Sequence, residues 1–205
     1  MNTVEEYINP CRRRIVTRYN SLPEEKQKQI ENIDKLPKDK IYLKPIKRKR
    51  KPEIHEGTIF AVKLPEDVFF FGKVICLNHN LPNIDKSFFV VFFFRHGSRS
   101  LDNYPTKLTK DNILIGPMMF GDGLWRNGTC YTVGFQPLTR YERKVNYGFY
   151  KHNILGGGKV IDVNGKLLKK EPIYLDFCAY TTIHGIESDF RREIIIDPSL
   201  ISDVE

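Results

Sequence analysis

The sequence predicts a mainly β protein of the α+β class. We expect an antiparallel sheet, strongly bent or partly closed into a barrel, with an N-terminal helical arm and a short C-terminal helix. Aromatic residues make up 12% of the 205 residues, with 14 Phe and 10 Tyr, and such side chains suit a half-buried pleated surface. From Gly57 onward, short apolar runs alternate with turn residues, whereas the preceding region carries helix signals and a basic run.

The first part of the chain, residues 1–53, is predicted to be a helical arm followed by a basic linker. Asn9 and Pro10 form a typical helix start, and Ser21 with Glu24 has the spacing of a capping box for a second helix. Helices this short are marginal alone, so we expect residues 1–33 to dock on the β domain. The expected contacts are the apolar residues of the two helices: Cys11, Ile15, Tyr19, Ile30 and Ile33.

Basic charge is concentrated in this first part. Residues 1–52 carry a net charge of +8, equal to that of the entire chain, so the remaining residues are neutral overall. Residues 36–52 contain three prolines, which predicts an extended linker. The linker includes five consecutive cations: Lys47, Arg48, Lys49, Arg50 and Lys51.

The second part, residues 54–205, is predicted to be the β-rich domain. The uncharged run SFFVVFFF at residues 87–94 indicates a strand buried on both faces in the middle of a sheet. A C-terminal helix is expected over residues 187–196 with Ser188 as its cap. The other expected strands are residues 58–64, 68–77, 112–115, 129–135, 148–150, the hairpin at 160–168, and 172–182.

The residue patterns favour a cytoplasmic protein without catalytic chemistry. The chain has no apolar stretch long enough to span a membrane, no secretory signal, and four scattered cysteines without a paired motif. The five histidines lack metal-ligand spacing, and there is no nucleophile elbow. We therefore predict no catalytic residue, no cofactor and no metal site, which makes binding the default function.

Several short motifs, in a fixed order, resemble bacterial immunity protein family twenty-six. That family typically begins with a G-D-I-F-x-I-P-L strand and a Y-x-F-G-R/Q-V strand, which EGTIFAVKL at residues 56–64 and FFGKV at 70–74 resemble. The similarity covers roughly residues 54–190. It continues at LIGP (114–117), GLW (123–125), TVG (132–134), PL (137–138) and IDVNGKL (161–167).

The resemblance implies a cytoplasmic antitoxin that binds a cognate protein toxin and so protects a bacterium. Some relatives are described as phosphotriesterase-like, so a hydrolase is the alternative that the same resemblance implies. This chain departs from the pattern in having residues 1–53 ahead of the family domain and Thr58 where the family often has Asp. A third alternative is nucleic-acid binding through the basic run, which the neutral β domain disfavours.

A neutral β domain needs a few desolvated anchors to bind a partner. Two predicted loops, residues 95–102 and 120–126, carry arginines and aromatics suited to that role. The alternative for the two aromatics is that they are buried and close one end of the barrel. The candidate partner-binding residues are Arg95, Arg99, Phe120, Trp125 and Arg126.

Overall fold

The computed structural model describes residues 9–33, 35, 43–153 and 157–202. Within them, helices α1 (Pro10–Asn20) and α2 (Glu24–Ile33) precede the first strand, and α4 (Ile183–Ile196) and α5 (Ser199–Ser202) follow the last. A short helix, α3 (Gly123–Arg126), and a 3₁₀ turn (Glu142–Lys144) lie between strands. The strands are β1 (Thr58–Lys63), β2 (Phe69–Cys76), β3 (Phe88–Ser98), β4 (Ile113–Gly121), β5 (Tyr131–Phe135), β6 (Tyr147–His152), β7 (Gly158–Ile161) and β8 (Tyr174–Phe177).

The strands form two sheets, and the predicted α+β class is confirmed. The larger sheet is antiparallel in the order β4-β3-β2-β1-β5. The smaller sheet has the order β7-β6-β8, in which β6 pairs with β8 in parallel. Register shifts interrupt the β1–β5, β2–β3 and β3–β4 pairings. Such bulges bend the strands, but neither sheet closes into a barrel.

Strand β3 lies between β2 and β4 and is buried on both faces, as its uncharged sequence predicts. Phe89, Val91 and Phe93 belong to a core on one face, where Ile186 and Phe190 of α4 also lie. Val90, Phe92 and Phe94 belong to a second core on the opposite face, together with Phe149 and Ile161 of the smaller sheet. The larger sheet therefore separates two hydrophobic cores.

The glycine of the FFGKV motif makes room for an aromatic ring. Gly72 is the register partner of Phe60, and a Cβ added at Gly72 would lie 2.4 Å from Cζ of the Phe60 ring. Phe60 has no exposed surface and its ring centroid lies 5.4 Å from that of Phe93. Because the residues around Phe60 are also closely packed, its ring has no space to move away from an added methyl group.

Substituting Gly72→Ala is therefore expected to lower the free energy of unfolding by about 1–3 kcal/mol, as overpacking of a core does. Urea denaturation followed by circular dichroism measures the change. Gly123→Ala is the matched control, because a Cβ at Gly123 meets no atom within 4 Å, and it should change stability by less than about 0.5 kcal/mol. Equal losses in the two variants would show that the Phe60 contact is not the cause.

A buried ion pair ties two loops to the larger sheet. Nζ of Lys73 in β2 lies 2.8 Å from Oε1 of Glu142, and neither side chain has exposed area. Glu142 also accepts hydrogen bonds from the backbone N–H groups of Leu108 at 2.7 Å and Thr139 at 2.6 Å. Burial by itself raises the pKa of Glu142, but these three donors outweigh it and hold the pKa below its ordinary value.

Substituting Lys73→Met is expected to cost about 3–5 kcal/mol, because it leaves the Glu142 carboxylate buried without its cation. Chemical denaturation at pH 7 measures this cost. Lys63→Met provides the comparison, since Lys63 at the end of β1 pairs at 3.0 Å with Asp67, whose side chain is 62% exposed, and losing such a pair costs less than about 1 kcal/mol. If Lys73→Met lowers the free energy of unfolding no more than Lys63→Met does, the Glu142 carboxylate does not depend on Lys73 as its buried cation.

The helical arm packs on the C-terminal part of the chain. Helix α2 lies along α4, and the guanidinium of Arg18 in α1 forms two hydrogen bonds with the Glu193 carboxylate, at 2.5 and 2.7 Å. Cys11 and Ile30 are buried as expected, whereas the expected contact through Ile15 is wrong, since that side chain is 48% exposed. Residues 1–8, within the predicted arm, and 36–42, within the predicted linker, lie outside the described residues.

Helix α4 begins earlier than the sequence predicts. It starts at Ile183, and its cap is Thr182, whose Oγ1 accepts a hydrogen bond from the backbone N–H of Gly185 at 3.1 Å. The expected start at residue 187 with Ser188 as the cap is therefore wrong. The extra turn places Ile186 in the core beneath the sheet.

Candidate partner-binding surface

The structure does not bring the five predicted contact residues together. Phe120 is the register partner of Phe89, near the start of β3. Arg95 lies six residues further along the same strand, which is about 20 Å at roughly 3.3 Å per residue. Arg99 follows the end of β3, and Arg126 lies on α3 after β4. The two arginines near the end of β3 and the group around α3 therefore belong to different surfaces.

Phe120 and Trp125 are core residues, and the expectation that they are exposed anchors is wrong. Their exposed fractions are 0% and 1%. The Trp125 ring centroid lies 4.9 Å from that of Phe60 and 5.4 Å from that of Phe89, and its Nε1–H donates to Oγ1 of Thr132 at 3.1 Å. Both residues therefore follow the alternative in which they are buried. They cover the end of the sheet face that contains Phe60.

The three predicted arginines are exposed, but two of them already have acidic partners. Arg95 belongs to β3 instead of the predicted loop, because the strand continues to Ser98, and its Nη1 lies 2.8 Å from Oδ2 of Asp197. Arg126 pairs with Asp122 across one turn of α3. Arg99 lies in the turn after β3 with its side chain in solvent.

The basic run forms no helix or strand, and its backbone is bound to the β domain. The backbone N–H of Ile46 donates to the carbonyl oxygen of Gly128 at 2.8 Å, and that of Lys49 donates to the carbonyl oxygen of Trp125 at 3.1 Å. Just upstream, Leu43 is almost fully buried in the core. Hydrogen bonds on both sides of Lys47 and Arg48 thus hold this segment against the end of α3.

Gly128 allows this close approach. Its φ is +89°, in the left-handed region where residues with a side chain are strained. A Cβ at this position would also lie 3.3 Å from the backbone N of Arg48 and 3.3 Å from the carbonyl carbon of Lys47. The turn sequence Asn127-Gly128 is a signal that could have predicted a tight backbone contact here, although not its partner.

Six cations lie around this contact, and we call them the basic surface: Lys47, Arg48, Lys49, Arg50, Lys51 and Arg126. All six are exposed, and none of the five in the run forms an ion pair with another described residue. Beside them is a pocket of about 320 Å³, lined by Lys47, Arg48, Lys49, Trp125, Cys130, Tyr131 and Thr132. Sequence reasoning missed Cys130, Tyr131 and Thr132, because only the fold places them beside the run.

Three titratable groups in or near the two cores have shifted pKa values. Nδ1 of His79 accepts from the backbone N–H of Leu81, and burial lowers the pKa of His79. Burial raises the pKa of the Cys130 thiol, which lies beside the pocket, well above its ordinary value. Asp176 of β8 has a pKa raised to about 7, first by burial and further by Asp189 in α4.

No three His, Cys, Asp or Glu side chains within the described ranges are grouped so that they could hold a metal ion. In the same ranges, no helix combines the length and apolar character needed to cross a membrane.

Comparison with protein families identifies the domain. Residues 55–159 match the family described as Immunity protein 26, and the chain belongs to that family. The match runs from β1 through β6 to the first residues of β7, so it includes the larger sheet, α3 and the Lys73–Glu142 pair. No curated protein and no solved structure matches the chain.

Membership of an immunity protein family confirms the resemblance on which the functional expectation rests. It suggests a toxin-neutralising function and a non-enzymatic role. The helical arm, β8 and α4 lie outside the matched residues, so the family match leaves out α4 on one face of the larger sheet and β8 on the other.

Proposed function

We propose that this protein is an immunity protein that neutralises a cognate bacterial toxin by binding it directly in the cytoplasm. The family match over residues 55–159 is the observation that carries the proposal. The described structure fits a binding role, because its buried polar groups support the fold, as Lys73 and Glu142 do. The protein then neutralises the toxin by occupying it through a binding surface. Such inhibition is stoichiometric and requires one protein molecule for each toxin molecule.

The cysteines are compatible with the proposed compartment. Cys11, Cys76, Cys130 and Cys178 are all free thiols in the structure. Thiols persist in the reducing cytosol, whereas secreted proteins commonly pair them in disulfides. The cytoplasm is also where a bacterium needs protection from a toxin that has entered the cell.

The test uses the protein encoded by a toxin gene adjoining the gene for this chain. Co-expression of the full chain is expected to restore growth of cells that produce the toxin, and the two purified proteins should elute as one complex. In vitro, the activity of the toxin should fall linearly with added chain and vanish near a 1:1 ratio, because binding is stoichiometric.

An enzymatic mechanism gives a different titration. Protection at a small fraction of the toxin concentration would contradict neutralisation by binding. Turnover of a chromogenic phosphotriester with added zinc or manganese, retained through a second purification, would favour the hydrolase alternative. Absence of both a complex and growth rescue would overturn the immunity function for that toxin.

A further inference from the structure

We infer that the basic surface is the docking site for an acidic segment of the toxin; this inference rests on the proposed function and assigns it a place on the molecule. The net charge of the chain from residue 53 onward is zero. The five cations of the run at residues 47–51, which form no ion pair with any residue that the structure describes, are therefore the main source of a positive field, and a complementary partner presents carboxylates.

The basic surface is held in position before any partner binds. Two backbone hydrogen bonds, from Ile46 to Gly128 and from Lys49 to Trp125, anchor the segment on either side of Lys47 and Arg48. Gly128 brings the two backbones into contact. Because the backbone of the segment is already ordered, binding does not carry the entropic cost of ordering it, and a preorganised site binds more tightly than a free linker.

The surroundings favour a polypeptide over a nucleic acid. Proteins that bind single strands usually offer several exposed aromatic rings for stacking, whereas of the two aromatic residues that line the pocket, Trp125 is buried and Tyr131 is only partly exposed. The adjacent residues Tyr131 and Thr132 begin β5, the outer strand of the larger sheet, which among the described strands pairs only with β1. The open backbone edge of such a strand can donate and accept hydrogen bonds with a protein segment.

The contact with β5 must be short. Thr132 pairs with Phe60 and Gly134 with Ile59, so Val133 is an extra residue that breaks the regular edge. Bulges of this kind discourage long strand pairing. Selectivity therefore has to come from the cations, with the pocket beside Lys47–Lys49 accommodating a side chain of the toxin segment.

The test reverses the charge of the run in the full chain. The variant carries Lys47→Glu, Arg48→Glu and Lys49→Glu, and binding to the toxin is followed by surface plasmon resonance at 50 and 300 mM NaCl. The association rate constant at low salt is expected to fall about 10- to 100-fold. The wild-type chain should associate more slowly at 300 mM, because salt screens the attraction, and the variant should lose this dependence.

A matched control carries Lys166→Glu, Lys169→Glu and Lys170→Glu. These three lysines are also exposed and lie between β7 and β8, so the total charge changes equally. This control should bind like the wild type. Circular dichroism and thermal melting verify the fold, and Arg50→Glu with Lys51→Glu serves as a second variant if the first does not fold.

The outcomes separate the inference from the proposed function. If the wild-type chain binds the toxin and the basic-run variants bind equally well, the docking site is elsewhere and the inference is overturned, while the immunity function stands. If both sets of charge reversals weaken binding alike, overall charge and not this surface is responsible. If nuclease treatment abolishes the complex, nucleic acid bridges the two proteins and the acidic segment is excluded. Failure of the wild-type chain to bind the toxin removes the proposed function itself.

Discussion

Residues 89–94 of strand β3 are buried on both faces, and the arrangement of the other elements follows from that constraint. Its side chains alternate between two cores, so each face of the larger sheet needs its own cover. Helices α3, α4 and α5 cover one face, and the long loops together with the smaller sheet cover the other. The helical arm then packs on α4, one layer further from the sheet.

The cover formed by loops needs a specific attachment, because loops contribute few apolar side chains. The Lys73–Glu142 pair provides it: Lys73 comes from the sheet, and Glu142 binds the backbone of two separate loops at Leu108 and Thr139. Buried ion pairs are seldom a large source of stability, but this one fixes which loop residues meet which strand. The pair therefore keeps the loops correctly positioned over the second core.

The sequence predicted most accurately the elements that are buried on both faces or that carry local helix signals. The eight uncharged residues 87–94 predicted the central strand, and Asn9-Pro10 predicted the start of α1 correctly, since Asn9 caps that helix. Lys73 stands within an otherwise apolar strand, a sign of a buried partner, but nothing in the sequence indicates that the partner is Glu142, 69 residues away.

Other features depend on tertiary packing, which the sequence does not encode locally. Phe120 lies in β4 because pairing with β3 continues that strand to Gly121, and a lone Trp in a glycine-rich turn suits a core as well as a surface. The docking of the basic run also escaped prediction. Its prolines and charges indicated an extended linker, whereas backbone hydrogen bonds to Gly128 and Trp125 decide its position.

Helix α3 connects the core of the larger sheet with the proposed binding surface. Trp125 fills the core from inside, and its carbonyl oxygen binds the basic run outside, so the packing of the sheet determines where the cations lie. This gives the central claim, that the chain neutralises a toxin by binding it through this preorganised surface. Hydrogen–deuterium exchange of the chain, alone and with the adjoining toxin, tests it most directly. The account predicts new protection at residues 46–51 and 123–133; protection confined to residues 95–102, or no change anywhere, would contradict it.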